Sequence, residues 1–330
     1  MTSLTRFGCG VVGSLMLVCG SRWACGTAPT LSPPSPTAGV ADELADVLVE
    51  APEPRYVSPT RRDQIGRIWA PVFINGRGPF RLVLDTGASH SAITAMVALA
   101  LGIPTDQSPP VLLRGVTGSA KVPTIHVDTL TVGDLAVDST LLPIVPDAMG
   151  GAQGVLGSQG LANKRIFIDF LHDEISITFS REDKLGRDFI RVPFSSMRGH
   201  LIYVDAMVGE VRTKAIIDTG GQTTIANLAL RDALARRNLS SKGLPDQIMG
   251  ATMAIQDGQL IPMPAIEFGA IHIMTGGVTF ADMDIFKEWK LTNEPAIVIG
   301  MDALGMLDTL VIDYRRHVLE MRTVRSGHVG

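Results

Sequence analysis

The chain carries the same unusual arrangement twice: an apolar segment that runs directly into Asp-Thr-Gly. The first copy reads FRLVLDTGAS and has its acid at Asp85, and the second reads TKAIIDTGGQ and has its acid at Asp218. An ionised carboxylate at the end of an apolar strand is unfavourable unless water or polar groups meet it. A fold for this chain must therefore build two matched turns that each present a carboxylate.

The sequence around the two acids repeats in the same order. A glycine, Gly76 or Gly209, lies between β-prone runs before each acid, and the Asn-Gly pair that ends at Gly76 predicts a hairpin. After each acid come a helical stretch, a glycine-bearing segment at 111–123 or 247–262, and the apolar motif GVLG or IVIG. This order predicts an internal duplication. The second copy is longer around DMDIFKEWKLTNEP (282–295), which we interpret as a surface insertion.

Two copies of one unit usually pack about a pseudo-twofold axis, which brings equivalent loops together. We therefore expect Asp85 and Asp218 to face each other. Two carboxyl groups a few ångströms apart cannot both ionise easily, so such a pair shares one proton over a range of pH. The ionised member then accepts a proton from water while the protonated member donates one to a carbonyl oxygen. This chemistry suits hydrolysis of an amide without a metal or a covalent intermediate.

The residues beside the two acids fit a facing pair. Gly87 and Gly220 permit a tight turn and a close approach of the backbone. Thr86 and Thr219 are placed to hydrogen-bond the two turns to each other across the axis. We therefore expect these four residues to support the pair.

The two turns resemble the active-site turns of the retropepsin-like aspartic proteases, in the two-repeat, single-chain form found in bacteria. GVLG and IVIG are similar to the apolar-apolar-Gly element of that family. The resemblance covers about residues 66–322. It implies the acid protease fold, which is mainly β, with two pseudo-twofold-related β-barrel lobes and short helices. It also implies an aspartic endopeptidase, active as a single chain, with Asp85 and Asp218 as its catalytic residues.

The same resemblance implies a flap over the cleft in each half, at RGVTG and IMGAT. The flap and substrate-binding residues expected on this basis are Gly115, Val116, Thr117, Gly118, Gly250, Ala251 and Thr252. For IMGAT, an ordinary hairpin tip is an alternative interpretation. Ala88 and Gly221 stand where pepsin-like enzymes carry a hydroxyl residue after Asp-Thr-Gly, which favours the retroviral type.

The sequence also predicts how the chain is divided. Arg6, the apolar run that follows it and the small residues at 24–28 are typical of a signal peptide, so we expect a periplasmic or secreted protein. A lipid anchor at Cys19 or Cys25 fits the pattern less well. The expected divisions are a signal peptide at 1–28, a proline-rich linker or propeptide at 29–63, an N-terminal protease lobe at 64–182 and a C-terminal protease lobe at 190–325.

Composition narrows the possible partners and cofactors. A net charge of −4 without a basic patch argues against nucleic acid. All three cysteines lie in the first 25 residues and the histidines lack ligand spacing, so we expect no metal and no other cofactor. The expected partner is a polypeptide substrate in extended conformation. The alternative function is a catalytically silent peptide-binding or regulatory protein with the same fold.

Overall fold

The computed structural model describes residues 58–59, 66–147, 150–181, 186–239 and 241–323. The predicted signal peptide lies outside the described residues, as does the predicted linker or propeptide except for the short strand β1 (Ser58–Pro59). Export therefore stays a prediction. Among the described residues, no helix combines the length and the apolar character needed to span a membrane.

The first lobe is a closed barrel. Its strands are β2 (Trp69–Ile74), β3 (Arg77–Leu84), β4 (Ala92–Thr94), β5 (Val111–Arg114), β6 (Ser119–Val122), β7 (Thr124–Val132), β8 (Leu135–Val145) and β9 (Gly154–Leu156), and its helix is α1 (Ala95–Leu101). Six strands close in the order β2-β3-β9-β4-β8-β7, whereas β5 and β6 form a separate hairpin. Leu82 and Leu84 pack in the barrel core, and Val83 between them packs on the opposite face of β3. Because the last three residues of β3 are buried on both faces, the strand ends as an apolar run, Leu82–Leu84, directly before Asp85.

The second lobe is built around a ten-stranded sheet. Its strands are β13 (Ser195–Met197), β14 (Leu201–Val208), β15 (Val211–Ile217), β16 (Ile225–Ala226), β17 (Leu244–Met249), β18 (Ile255–Ile261), β19 (Ile266–Phe268), β20 (Ile271–Ile273), β21 (Val278–Phe280) and β22 (Ala296–Ile299), and its helices are α2 (Leu228–Ala235), α3 (Asp284–Glu288) and α4 (Met301–Leu304). Their order is β17-β18-β21-β16-β22-β15-β14-β19-β20, with β13 paired to β14. The fold is thus mainly β with short helices, as the sequence predicts.

The strands around each acid are paired in the same way in both lobes. In the first lobe, β3 pairs antiparallel with β2 and parallel with β9, which in turn pairs antiparallel with β4. In the second lobe, β15 pairs antiparallel with β14 and parallel with β22, which pairs antiparallel with β16. Asp85 and Asp218 therefore follow equivalent strands at equivalent positions.

The two lobes differ in how their sheets close. The long strand β8 of the first lobe has two shorter counterparts in the second, β20 and β21, on either side of Met-Thr-Gly-Gly at 274–277. Pro262 and Pro264 lie between β18 and β19, where a proline cannot donate a ladder hydrogen bond. In the described residues, β18 pairs with β21 whereas the separate strand β19 pairs with β14, so the ladder is interrupted between β18 and β19 and no barrel closes.

A third sheet joins the two halves of the chain. Its strands from the first half are β1, β10 (Lys164–Asp169) and β11 (Glu174–Phe179), and those from the second are β12 (Ile190–Pro193), β23 (Leu307–Asp313) and β24 (Val318–Thr323). Their order is β1-β11-β10-β23-β24-β12, so β10 pairs directly with β23. Arg165 on β10 also forms a buried ion pair with Glu320 on β24, at 3.1 Å. The lobes are therefore hydrogen-bonded into one structure.

The interpretation of residues 282–295 as a surface insertion is wrong. A second apolar cluster contains five residues of this segment, each at most 5% exposed: Met283, Ile285, Phe286, Trp289 and Leu291. These apolar residues recur at helical spacing along and beyond α3, which turns them to one side. Charged residues lie between these apolar residues, so the composition of the segment alone does not reveal the pattern.

Candidate active site

The structure brings Asp85 and Asp218 together between the two lobes. Each acid directly follows its strand, β3 or β15, and each is 2% exposed. The backbone N–H of Asp85 donates to the carbonyl of Leu156, at 2.9 Å, and that of Asp218 donates to Ile299, at 3.0 Å. Leu156 and Ile299 belong to the GVLG and IVIG motifs. These motifs therefore fix the backbone of the two acid-bearing turns.

Backbone donors hold the same oxygen of each carboxyl group. Oδ1 of Asp85 accepts hydrogen bonds from the N–H groups of Gly87 and Ala88, at 2.8 and 2.9 Å. Oδ1 of Asp218 accepts from Gly220 and Gly221, at 2.9 and 3.1 Å. The two carboxyl groups are therefore oriented alike by their own turns.

The pKa of Asp85 lies well above its usual range. Burial is the largest cause, followed by the negative charge of Asp218 and a side-chain hydrogen bond with it. The backbone N–H groups of Gly87 and Ala88 act in the opposite direction but do not outweigh these causes. The pair therefore holds a proton at a pH where an isolated aspartate has lost it.

Thr86 and Thr219 hydrogen-bond across the boundary between the lobes. The hydroxyl of Thr86 donates to the carbonyl of Ile217 at 2.6 Å and accepts from the N–H of Thr219 at 3.1 Å. The hydroxyl of Thr219 donates to the carbonyl of Leu84 at 2.7 Å and accepts from the N–H of Thr86 at 3.2 Å. Four reciprocal bonds between fully buried groups thus hold the two turns in register.

Gly87 and Gly220 each lie against the acid of the opposite lobe. A Cβ atom at Gly87 would lie 2.9 Å from the carboxyl carbon of Asp218. A Cβ atom at Gly220 would overlap the carboxyl carbon of Asp85 even more closely. The glycine of each Asp-Thr-Gly is therefore required by the close approach of the two turns, in addition to the turn itself.

A cavity of about 380 Å³ opens above the two aspartates. Its walls include Val83 and Val155 from the first lobe and Ile225 and Val298 from the second. The tips of the β5–β6 and β17–β18 hairpins also line it. This arrangement provides an apolar cleft with a carboxyl pair inside it. Among the described residues, no group of three or more His, Cys, Asp and Glu side chains could hold a metal ion.

The predicted flap residues meet over this cavity. Val116, Gly250 and Ala251 line it. The hydroxyl of Thr117 joins the two hairpin tips, because it donates to the carbonyl of Ala254 at 2.6 Å and accepts from the N–H of Gly250 at 3.1 Å.

The other predicted flap residues support these tips. The N–H of Gly115 donates to the carbonyl of Gly118 at 2.7 Å and closes the first tip. Gly118 also lies beside Ala254, to whose Cβ atom an added Cβ would come within 3.3 Å. Thr252 is part of the second tip, and within the described residues its buried hydroxyl has no hydrogen-bond partner.

The cavity also contains polar residues that the sequence did not indicate. Arg67 is 9% exposed, and its guanidinium donates from Nη1 to the carbonyl of Gly220 at 3.4 Å. Gln222, Asp246 and Gln247 of the second lobe line the cavity as well. No motif or spacing marks Arg67, because the residue that it contacts lies 153 positions further along the chain.

Residues 70–159 match the family model described as Aspartyl protease. No curated protein matches the sequence. The matched range contains the first lobe's barrel strands, Asp85 with its turn, the first flap and the GVLG motif, whereas Asp218 lies outside it. The match supports a protease-like function. The first lobe is thus similar to the aspartyl proteases over the residues that carry Asp85.

Proposed function

We propose that the protein is an aspartic endopeptidase in which Asp85 and Asp218 of one chain form the catalytic pair. The observation that carries the proposal is that two buried carboxyl groups on equivalent turns line one cavity, where burial and the neighbouring Asp218 raise the pKa of Asp85. Two acids with this coupling supply a general acid and a general base at the same site. A purely structural pair would not need a cavity above it that is lined by both acids.

In the proposed reaction, the carboxyl pair holds one proton and binds a water molecule beside the peptide carbonyl. The ionised carboxylate takes a proton from the water as its oxygen bonds to the carbonyl carbon. The protonated carboxyl group donates its proton to the carbonyl oxygen, which gives a neutral tetrahedral diol. Breakdown of the diol breaks the C–N bond as the protonated carboxyl group gives its proton to the amine that leaves and the ionised carboxylate takes a proton from a diol hydroxyl, which becomes the new carbonyl oxygen.

The walls of the cavity support an extended polypeptide as the substrate. An extended chain presents alternate side chains to opposite sides, and the cleft has apolar residues on both sides: Val83 and Val155 on one, Ile225 and Val298 on the other. Backbone groups of the hairpin tips above are placed to pair with such a chain. The two tips together form the proposed cover over the substrate.

Replacement of either acid tests this function. We expect Asp85→Asn and Asp218→Asn each to reduce hydrolysis of a diverse peptide library by a factor of about 10⁴ or more. The reason is that a carboxamide cannot accept and donate the proton as the carboxyl group does. Asp205→Asn, which changes an exposed aspartate on β14, is the matched control and should retain normal activity. Melting temperatures of all three variants establish that they fold.

The results separate the possible outcomes. Near-normal turnover in either Asp85→Asn or Asp218→Asn would refute the catalytic pair. Peptide binding without cleavage by the unmodified protein would instead favour the alternative, a catalytically silent peptide-binding protein.

A further inference from the structure

The first flap, the hairpin β5–β6, packs Val111, Leu113 and Val122 on its own lobe, whereas Val116 at its tip packs against the second lobe. It forms a sheet of two strands only, and within the described residues neither strand joins the barrel ladder. An isolated two-stranded hairpin is at best marginally stable in water. The second flap, the hairpin β17–β18, differs because β18 also pairs with β21 of the main sheet. Packing against both lobes therefore holds the first flap over the cavity, and its tip depends on the second lobe.

Residues 282–295 of the second lobe contact the first flap through the backbone and a charge pair. The N–H of Ile285 donates to the carbonyl of Val116 at the flap tip, at 3.3 Å. The guanidinium of Arg114, at the end of β5, forms an ion pair with the carboxylate of Glu288, at the end of α3. The side chains of this pair are 22% and 32% exposed, so solvent only partly screens it.

Apolar packing adds a third kind of contact. Val116 packs against the second apolar cluster, to which Ile285, Phe286 and Trp289 belong. Helix α3 is itself fixed to the second lobe, because the guanidinium of Arg198 donates to the backbone carbonyl of Glu288. Glu288 thus connects a helix anchored in one lobe to the flap of the other.

The first lobe supports the second flap in a different way: Ala251 packs against a first-lobe cluster that includes Ala152, and the hydroxyl of Thr117 bonds the second tip. The counterpart of 282–295 is the link between β8 and β9, at 146–153, which is about half as long. Among its described residues there is no helix and no charged contact to the second flap. The longer second copy therefore gives the two flaps different restraints.

We propose that Glu288 is a positioning residue that holds the first flap closed over the two aspartates through its ion pair with Arg114. The effect on catalysis rests on the function proposed above, whereas the effect on the flap does not. A flap that covers substrate and transition state alike contributes uniform binding, so its release raises KM more than it lowers kcat.

Amide hydrogen exchange without substrate tests the restraint directly. In Glu288→Gln, we expect exchange at residues 114–118 to be about two- to fivefold faster, which is the effect of one partly exposed ion pair. Strand β7 of the same lobe should be unchanged. Glu294→Gln is the matched control, because Glu294 lies in the same segment but pairs with Lys214, at 2.7 Å. Equal exchange at 114–118 in both variants would overturn the proposal.

Kinetics on a cleaved peptide then test the consequence. We expect Glu288→Gln to raise KM about two- to fivefold with little change in kcat, and Glu294→Gln to leave both unchanged. The exchanged pair Arg114→Glu with Glu288→Arg should restore part of the loss, which a merely destabilised fold would not show. A fall in kcat at constant KM would overturn the positioning role. If the unmodified protein cleaves no peptide, the proposed function fails, while hydrogen exchange still decides whether Glu288 restrains the flap.

Discussion

The two lobes present equivalent acids on equivalent strand pairings but are completed in different ways. The first lobe closes into a six-stranded barrel and leaves its flap as a detached hairpin. The second lobe stays open, continues its flap into the main sheet and carries the buried segment 282–295. Similarity is therefore greatest next to the carboxyl pair and decreases with distance from it. The comparison indicates that the proposed chemistry needs symmetry at the two acids. The proposed cover over the substrate does not need to be symmetric.

Among changes that leave both acids in place, the largest effect is expected at the two turn glycines, where the lobes approach most closely. A methyl group at Gly220 would overlap the Asp85 carboxyl group, and one at Gly87 would lie 2.9 Å from the carboxyl carbon of Asp218. We expect both alanine variants to lose activity by about a hundredfold or more, with Gly220→Ala the more severe. Peptide hydrolysis measures the loss. Gly276→Ala, which adds a methyl group in open space, is the control. Equal activity of Gly220→Ala and Gly276→Ala would contradict the close approach.

The cross-lobe threonines should show nearly equal effects, because their hydrogen bonds are reciprocal. Thr86→Val leaves the buried carbonyl of Ile217 and the N–H of Thr219 without that partner, and Thr219→Val does the same on the other side. We expect each variant to lower the free energy of unfolding by about 2–4 kcal/mol. Chemical denaturation measures this, with Thr86→Ser as the control that keeps the hydroxyl. If only one of the two valine variants lost stability, the four hydrogen bonds would not act as a set.

The dependence of stability on pH should reveal the shared proton. An aspartate in an unfolded chain has a pKa of about 3.9, and burial beside Asp218 raises that of Asp85 in the folded protein. The folded state then binds the proton more tightly. This group therefore stabilises the fold below about pH 4, and its contribution is lost as pH rises through the raised pKa.

We expect the free energy of unfolding to fall by up to about 1.4 kcal/mol per pH unit across this window. In Asp85→Asn this part of the slope should be absent, because the carboxamide does not titrate. Denaturant titrations at a series of pH values provide the measurement. An unchanged slope in the variant would assign the titration to other groups.

The smallest effects are expected at the flap tips, where the lobes differ most. Thr117→Val removes two hydrogen bonds between the tips, so we expect KM to rise about two- to tenfold. Thr252→Val removes a buried hydroxyl that makes no hydrogen bond within the described residues, so stability should stay the same or rise by up to about 1 kcal/mol. Peptide kinetics and thermal unfolding distinguish the two. A larger effect of Thr252→Val than of Thr117→Val would show that the contact between the tips depends on the second tip and not on the first.

Local sequence was sufficient to predict the parts of the structure that depend on the pattern of neighbouring residues. The apolar run before Asp85 and the Asn-Gly turn at 75–76 predicted β2 and β3, and the mainly β fold is confirmed. The repeat predicted that Asp85 and Asp218 would meet, and the structure brings them together. Their catalytic role and that of the flap residues remain predictions.

Other features depend on contacts between distant residues and could not be predicted. Segment 282–295 contains enough charged residues to suggest a solvated loop, yet its apolar residues pack beneath the first flap. The open second sheet results from the break between β18 and β19, which pair with different strands, β21 and β14. The contact of Arg67 with Gly220 joins the two lobes and leaves no local pattern.

The sheet that joins the halves also sets the order of events during biosynthesis. Strand β10 is synthesised long before β23, its neighbour, and β24 is the last described strand of the chain. Until those strands leave the ribosome, β10 presents an unpaired edge and Asp85 has no carboxyl partner. A partly translated chain therefore has half of a proton-sharing pair. The proposed hydrolytic activity therefore requires that the second half of the chain has been made.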